Sequence, residues 1–461
     1  MTIWEQVGQE IEDFTNGVRE QPVSTPVDAA ALRQEMTSRF GEFETPIPLS
    51  DLTRQVADLL RAYSVQVTHP RYFGLFNPSV SRASIVADTL VALYNPQLAA
   101  WSHSPIANEI ERFTLRYLAR AIGFDPETMF ANFTTGGLEA NLSAVIVALA
   151  HRFPEYDRGG VAALPARPAV YVTSESHHSF VKICRMAGLG TEALREVPTT
   201  STFLMDVSAL RTQIDNDRQA GWQPLMIVGT AGSTAGGIVD PLNELATVAA
   251  ESGSWLHVDA AWGGAAVLVP RLRPALAGIE RADSITWDAH KWLSVPMGAG
   301  MFFCRHRDAP RQAFNVSASY MPSDSGADTV DPYVTTLQWT RRAIGLKLFM
   351  TIAERGGAAF GEQIERQARL GDTLRQKLQA AGWSVVNDTP LPVVCVTNDG
   401  LRAGRTATTD IVAAIQARGR VWISDVFLGR RERALRACIT SFRTTEDDLD
   451  VLVEELADVT R

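Results

Sequence analysis

Lys291 stands in Asp288-Ala289-His290-Lys291-Trp292, directly after a histidine and just past the apolar run Ser284-Ile285-Thr286-Trp287. A lysine in such a place can be desolvated and held as a neutral amine able to condense with an aldehyde. Asp259 ends a second apolar run, Trp255-Leu256-His257-Val258-Asp259, with Ala260 and Ala261 behind it. A carboxylate there can keep a pyridine nitrogen protonated. A Schiff-base lysine and an acidic partner for a pyridinium are the two protein groups that pyridoxal phosphate (PLP) chemistry needs most. Each also has an ordinary reading: strand-end aspartates often cap helices, and most lysines are surface residues.

Three further segments could complete such a site. Thr134-Thr135-Gly136-Gly137-Leu138-Glu139-Ala140-Asn141 opens a helix after a turn. Its paired glycines would let backbone N–H groups approach an anion at the positive end of the helix, and a plain helix-opening turn would look the same. Ser174-Glu175-Ser176-His177-His178-Ser179 follows the run ending at Thr173; His177 could stack on an aromatic cofactor or serve as a hydrogen-bonded structural histidine. Thr230-Ala231-Gly232-Ser233-Thr234 leaves room for a flat ligand or makes a tight turn. Convergence favours the functional readings, because ligands of open α/β sheets bind beyond the carboxyl ends of the strands.

The elements that must position these residues alternate between apolar strands and helices from about 85 to 350. Strands are predicted at 169–173, 225–229, 254–258, 284–287 and 301–304, with helical stretches such as 137–151 and 241–252 between them. This pattern signals an α/β fold with a mostly parallel sheet covered on both faces. Residues 1–65 read as an N-terminal helical arm, with Ile11, Phe14 and Val18, then Leu52, Val56, Leu59 and Leu60, at helical spacing. The arm has too little apolar surface to fold alone, so it is expected to pack on another body or a second subunit. Residues 66–350 read as the PLP-binding large domain. Residues 351–461 read as a small α+β domain with strands at 383–386, 393–396 and near 436–441. Residues 307–335, rich in Pro, Gly, Ser and Asp, are expected to form a lid.

A net charge of −9 argues against nucleic acid or an anionic membrane as the main partner. No run approaches the roughly 20 apolar residues of a spanning helix. Met1-Thr2-Ile3-Trp4-Glu5-Gln6 has neither the basic nor the apolar region of a signal peptide. The four cysteines, Cys184, Cys304, Cys395 and Cys438, lack metal-ligand spacing and read as buried free thiols. A cytoplasmic protein without a metal site is expected.

The chain resembles the PLP-dependent group II amino-acid decarboxylases from about residue 65 onward. The resemblance is carried by His69-Pro70-Arg71-Tyr72-Phe73, Ser104-Pro105 with Glu109, Thr135-Gly136-Gly137, and His177 with Ser179 and Lys182. It continues in Ala231-Gly232 with Asp240-Pro241, His257-Val258-Asp259-Ala260-Ala261, Asp283-Ser284 and His290-Lys291-Trp292. Arg341-Arg342 with Leu346-Lys347, and Arg436 with Thr444-Thr445, complete it. It implies the PLP fold type I, with Lys291 bound to the cofactor, Asp259 at the pyridine nitrogen and Ala261 under the ring. It also implies His177 on the opposite face, Thr230 at the ring or its 3′ oxygen, and Gly136, Gly137, Leu138 and His290 around the phosphate. A homodimer with its active site at the subunit interface is implied as well.

Three positions depart from the family pattern. Leu138 replaces a hydroxyl residue. Asp288 stands where many relatives have Asn, and is expected to face away from the phosphate it would repel. Pro332 occupies the place of a proton-donating loop tyrosine, with Tyr333 beside it and Tyr320 nearby. The expected reaction is decarboxylation of an L-amino acid to the amine. The altered loop leaves oxidative deamination to an aldehyde, or transamination, open. A PLP-binding protein without enzymatic activity is the reading from another class. Tyr72-Phe73-Gly74-Leu75-Phe76 corresponds to a segment lining the substrate pocket in relatives, or is simply core; its apolar content favours an aromatic or bulky apolar substrate. Phe73, Phe76, Ser79 and Trp101 are the candidate substrate-binding residues.

Overall fold

Strands buried on both faces need apolar side chains at successive positions, and the central strands of this chain have them. The computed structural model describes residues 1–317 and 329–461. The described residues include a seven-stranded sheet made of β1 (Phe130–Thr134), β2 (Arg167–Val172), β3 (Leu194–Glu196), β4 (Trp222–Thr230), β5 (Trp255–Asp259), β6 (Ser284–Asp288) and β7 (Gly300–Cys304), in the order β1-β7-β6-β5-β4-β2-β3. From β3 through β6 the neighbours are parallel, whereas β7 runs antiparallel to both β6 and β1. Side chains alternate between two apolar layers: Ile227, Met301 and Phe303 enter one, Met226, Val228 and Phe302 the other, as the two-residue period of a strand requires.

Parallel register brings the carboxyl ends of β4, β5 and β6 to one edge. Thr230 pairs with Asp259, and Asp259 with Thr286. The antiparallel return of β7, with Gly300 opposite Asp288, makes residues 289–299 a tight connection between adjacent strands. That connection carries His290 and Lys291.

The second sheet is antiparallel, with β8 (Ser384–Val385), β9 (Val393–Thr397), β10 (Ser424–Leu428) and β11 (Glu432–Cys438) in the order β10-β11-β9-β8. Tyr72 and Phe73, read from sequence as large-domain residues, attach here: Phe73 N–H donates to the Trp422 carbonyl (2.8 Å), and its own carbonyl accepts from Cys438 N–H (2.8 Å). All four cysteines are free and buried, and burial pushes the thiols of Cys304, Cys395 and Cys438 up to about 12.

Among the N-terminal helices, Ile3–Gly17 and Leu49–Tyr63 bury none of their residues, although both are amphipathic. They meet through an Arg61–Glu10 ion pair. The stretch after the first helix docks on the C-terminal region, where Val23 N–H donates to the Gly419 carbonyl (2.8 Å) and Arg19 pairs with Asp448. Trp4, Leu49, Val56 and Leu60 stay exposed. No helix among the described residues is long and apolar enough to cross a membrane.

Candidate active site

Lys291 and His290 are held by the frame of their connection. Ala289 N–H donates to the Ala299 carbonyl (2.7 Å), and Ala299 N–H donates to His290 Nδ1 (3.1 Å). Because Nδ1 accepts, a neutral His290 carries its proton on Nε2. Burial is the main cause lowering its pKa, which favours that neutral form. Trp292 is fully buried, and its indole donates to Gln367 (3.1 Å), which in turn donates to the Thr440 carbonyl (2.6 Å). Lys291 therefore stands on an anchored base, with its Nζ paired to Asp288 (3.1 Å).

Opposite lies the start of the helix Gly137–Arg152. The packing there excludes side chains: a Cβ on Gly300 would stand 2.7 Å from Gly136 Cα, and one on Gly137 would stand 2.9 Å from Asp288 Oδ2. Unsatisfied N–H groups and the helix dipole make this cup receptive to an anion. Asp288 does not face away. Its Oδ2 lies 3.1 Å from Lys291 Nζ and 3.8 Å from His290 Nε2. The expectation counted only the phosphate that Asp288 would repel; the lysine ammonium attracts it inward. Leu138 turns outward, 37% exposed, and lines an open cavity of about 790 Å³ with Thr135, Met297 and Lys347.

Both oxygens of Asp259 are engaged. Oδ1 accepts from Ala261 N–H (3.1 Å), and Oδ2 from the Asn141 amide (3.0 Å). Asn141 Oδ1 accepts in turn from His257 Nε2 (3.0 Å), whose Nδ1 lies 2.8 Å from Ser284 Oγ. Complete burial lowers His257 to about 4, so it is a neutral link. Thr230 N–H donates to Asp240 Oδ2 (2.8 Å), while Asp240 Oδ1 accepts from Met205 N–H (2.7 Å). At Gly232, φ is +95° and a Cβ would meet the Trp262 indole at 3.0 Å, so this segment is a tight turn as well as a strand end.

His177 accepts from Ser179 N–H at Nδ1 (3.2 Å), which leaves the ring proton on Nε2. His177 is an exposed residue, yet desolvation by its surroundings is the main cause lowering its pKa; the charges of Asp259, Lys291 and Asp288 all reach it. Six residues thus converge from the ends of β2, β4, β5 and β6 and the turns that follow them: His177, Thr230, Asp259, Asp288, His290 and Lys291.

The substrate candidates divide. Phe76 stacks on Trp262 (4.5 Å between centroids), with Lys291 Nζ 6.0 Å from its ring centre. Phe73 instead lies in the apolar core of the C-terminal sheet. Ser79 is fully buried and spends its hydroxyl on the Thr68 carbonyl (2.6 Å) and Ser441 (2.8 Å). Trp101 donates its indole to Glu109 (3.0 Å) and its N–H to Asp331 (2.7 Å), beside a cavity of about 360 Å³ also lined by Arg112 and Pro332. Tyr333 packs on Trp339 (5.1 Å), and its N–H donates to the Ala99 carbonyl (3.0 Å). Neither Trp101 nor Tyr333 contacts Lys291 among the described residues. Tyr320 and most of the expected lid lie outside them.

The model of the pyridoxal-dependent decarboxylase conserved domain matches residues 42–398. The chain belongs to that family. It is a PLP-dependent carboxy-lyase acting on an amino acid. An aromatic-L-amino-acid decarboxylase of Bacillus atrophaeus is 28% identical over 95% of this chain and 91% of its own length. An L-aspartate decarboxylase of Metarhizium robertsii is also 28% identical, over 80% and 74%. The structure of Oryza sativa TDC with PLP and tryptamine shares the fold at a TM-score of 0.92, with 24% identity over 99% of this chain and 96% of that one.

Within this decarboxylase the sequence reading passed over Asn141 and His257 as functional residues. Both were detectable. Asn141 sits one helical turn after Gly137, and His257 precedes Asp259 by one strand period, which puts each near the site. Asp240, in the Asp240-Pro241 motif, fixes the Thr230 backbone.

Proposed function

We propose that this enzyme decarboxylates an aromatic or bulky apolar L-amino acid to its amine, with the cofactor held by the residues gathered around Lys291. The residues fit PLP. The cup at Gly137 and Gly300 is tight for side chains, so backbone N–H groups and His290 Nε2–H would face a phosphate there. Asp259, oriented by Asn141 and Ala261, would hold the pyridine nitrogen protonated. Ala261 and His177 would cover the two ring faces, and Thr230 would lie at the ring edge. When bound, PLP supplies an aldehyde for Lys291 and an electron sink for the bond that breaks. The chain's part is to orient the substrate, exclude water and return a proton to its α-carbon.

The observation that carries the substrate class is the Phe76–Trp262 stack beside Lys291, since flat apolar walls bind an aromatic side chain without leaving a polar group unpaired. A second reading, an acidic substrate, has its own observation. Arg436 is 1% exposed, with its Cζ 4.7 Å from the Phe76 ring centre and with Nε and Nη2 lacking partners among the described residues. A screen of the PLP-loaded protein against the common amino acids and diaminobutyrate, scoring carbon dioxide, amine and aldehyde together, separates the two. Preferential turnover of aspartate or glutamate would replace the aromatic reading, and aldehyde in place of amine would change the reaction outcome.

We also propose a cytoplasmic homodimer. Two amphipathic helices that bury nothing within one chain need a partner surface. Trp101 and Tyr333, tied together through Asp331 and Ala99, would then be offered to the second subunit's site.

A further inference from the structure

We propose that Ser284 and Trp255 are positioning residues for the decarboxylation: they complete a one-way relay of hydrogen bonds that ends on Asp259 and keeps the proton of the Asp259–cofactor contact on the ring nitrogen. This rests on the cofactor-site reading above.

Trp255, His257 and Asp259 alternate along β5 and so project from one face of the sheet. Two side chains from neighbouring elements bridge the gaps between them. Asn141, on the helix Gly137–Arg152, joins Asp259 to His257 (3.0 Å each). Ser284, opposite His257 in the pairing of β5 with β6, joins His257 (2.8 Å) to Trp255 (2.7 Å). All five residues are buried.

The two ends fix the direction of every link, because an indole N–H only donates and a carboxylate only accepts. Trp255 therefore donates to Ser284 Oγ. Asn141 turns Nδ2 to Asp259, so its Oδ1 accepts from His257 Nε2–H. Complete burial lowers His257 to about 4; the neutral ring has one proton, and its Nδ1 accepts from the Ser284 hydroxyl. Two longer contacts, Asn141 Nδ2 to Ser179 Oγ (3.4 Å) and His257 Nε2 to Thr286 Oγ1 (3.5 Å), leave that sense unchanged. Every donor dipole thus points toward Asp259, and bonds linked in this way strengthen one another by roughly 10–30% each.

The sense of the relay bears on one proton. A buried pyridine and carboxylate can share it as ring N–H⁺ with ⁻OOC, or as ring N with HOOC. Burial favours the uncharged pair, and donors on the carboxylate favour the charged one. Asp259 has two such donors, the Ala261 N–H and the Asn141 amide. The second is backed by His257, Ser284 and Trp255. Only the charged pair makes the ring a strong electron sink.

The test follows the ring nitrogen. Full-length protein loaded with PLP isotopically labelled at that atom is compared by NMR as wild type, Ser284→Ala and Trp255→Phe, and carbon dioxide release gives kcat and KM. The wild-type signal is expected at the protonated position. Ser284→Ala cuts two links and should move the signal toward the unprotonated position. Its kcat should fall about threefold, roughly a quarter of the worth of a bond to a charged acceptor, with KM unchanged. Trp255→Phe keeps a ring against His306, which packs on Trp255 at 5.0 Å, and cuts only the last link. It should move the signal less and lower kcat by less than about twofold. A purely structural role would lower stability in urea and leave the nitrogen signal in place. An unmoved signal in Ser284→Ala therefore overturns the proposal, as does a larger movement in Trp255→Phe. If Ser284→Ala does not fold, Trp255→Phe decides alone, and an unmoved signal there overturns the proposal. Failure of the cofactor-site reading looks different. No borohydride-trappable adduct at Lys291, or a wild-type signal at the unprotonated position, removes that reading and the proposal with it. An adduct at Lys291 with a protonated signal unchanged in both variants removes only the part given to Ser284 and Trp255.

Discussion

Replacing Asn141 with leucine keeps the branched heavy-atom shape and removes three hydrogen bonds, of which the two shortest fall on different observables. The bond from Asn141 Nδ2 to Asp259 Oδ2 (3.0 Å) ends on a carboxylate, and such bonds contribute about 1.5–3 kcal/mol. On the proposed reading Asp259 keeps the electron sink protonated. A loss of that size expressed in the barrier lowers kcat about 10- to 150-fold. Asn141 touches neither substrate nor pocket wall, so KM should stay near wild type. Loss of the second bond, from His257 Nε2 to Asn141 Oδ1 (3.0 Å), leaves a fully buried N–H with only the distant Thr286 hydroxyl (3.5 Å), which costs about 1–3 kcal/mol of stability. Carbon dioxide release at saturating PLP gives kcat and KM; urea unfolding gives the stability. Asn141→Leu combined with His257→Gln should cost less than the two single changes added, because both act through one chain of bonds. An Asn141→Leu protein that binds PLP stoichiometrically and turns over at the wild-type rate would refute the positioning role of this relay.

Other outcomes follow from single contacts. Lys291→Ala should fold and bind PLP without a borohydride-trappable adduct; an adduct elsewhere would remove Lys291 from its role. His257 is held near 4 when folded against 6.5 in the free side chain, so as pH falls through that window the unfolded chain takes up a proton that the folded chain refuses. The stability present above pH 6.5 is therefore lost, by about 3 kcal/mol in full. Urea titrations from about pH 7 to about pH 5 should show a shallower loss for His257→Gln, and parallel losses would acquit His257. Tyr333→Phe should slow amine formation and raise the aldehyde fraction if a second subunit receives that hydroxyl; an unchanged product ratio makes Tyr333 a spectator. Phe76→Ala should raise KM for an aromatic substrate more than for a small one, and equal effects would mean that Phe76 does not select.

The carboxyl ends of β4, β5 and β6 were legible because strands buried on both faces spell apolar runs, and Thr230, Asp259 and Asp288 interrupt those runs where the strands stop. β1 (Phe130–Thr134) was missed because Asn132 breaks its run, β3 because three residues are too few to show a period, and β10 because its side chains are mostly half-exposed. Composition showed that Phe73 and Phe76 are apolar, but not which body each faces. Only the pairing of Tyr72 with Trp422 turns Phe73 into the C-terminal core and leaves Phe76 at the site. The orientation of Asp288 failed for a different reason. A carboxylate beside a phosphate was judged on that repulsion alone, yet the side chain answers to every charge within a few ångströms. Lys291, at 3.1 Å, supplies an attraction of the opposite sign. Chain order put the two residues three apart; only the turn after β6 brings their charged ends together.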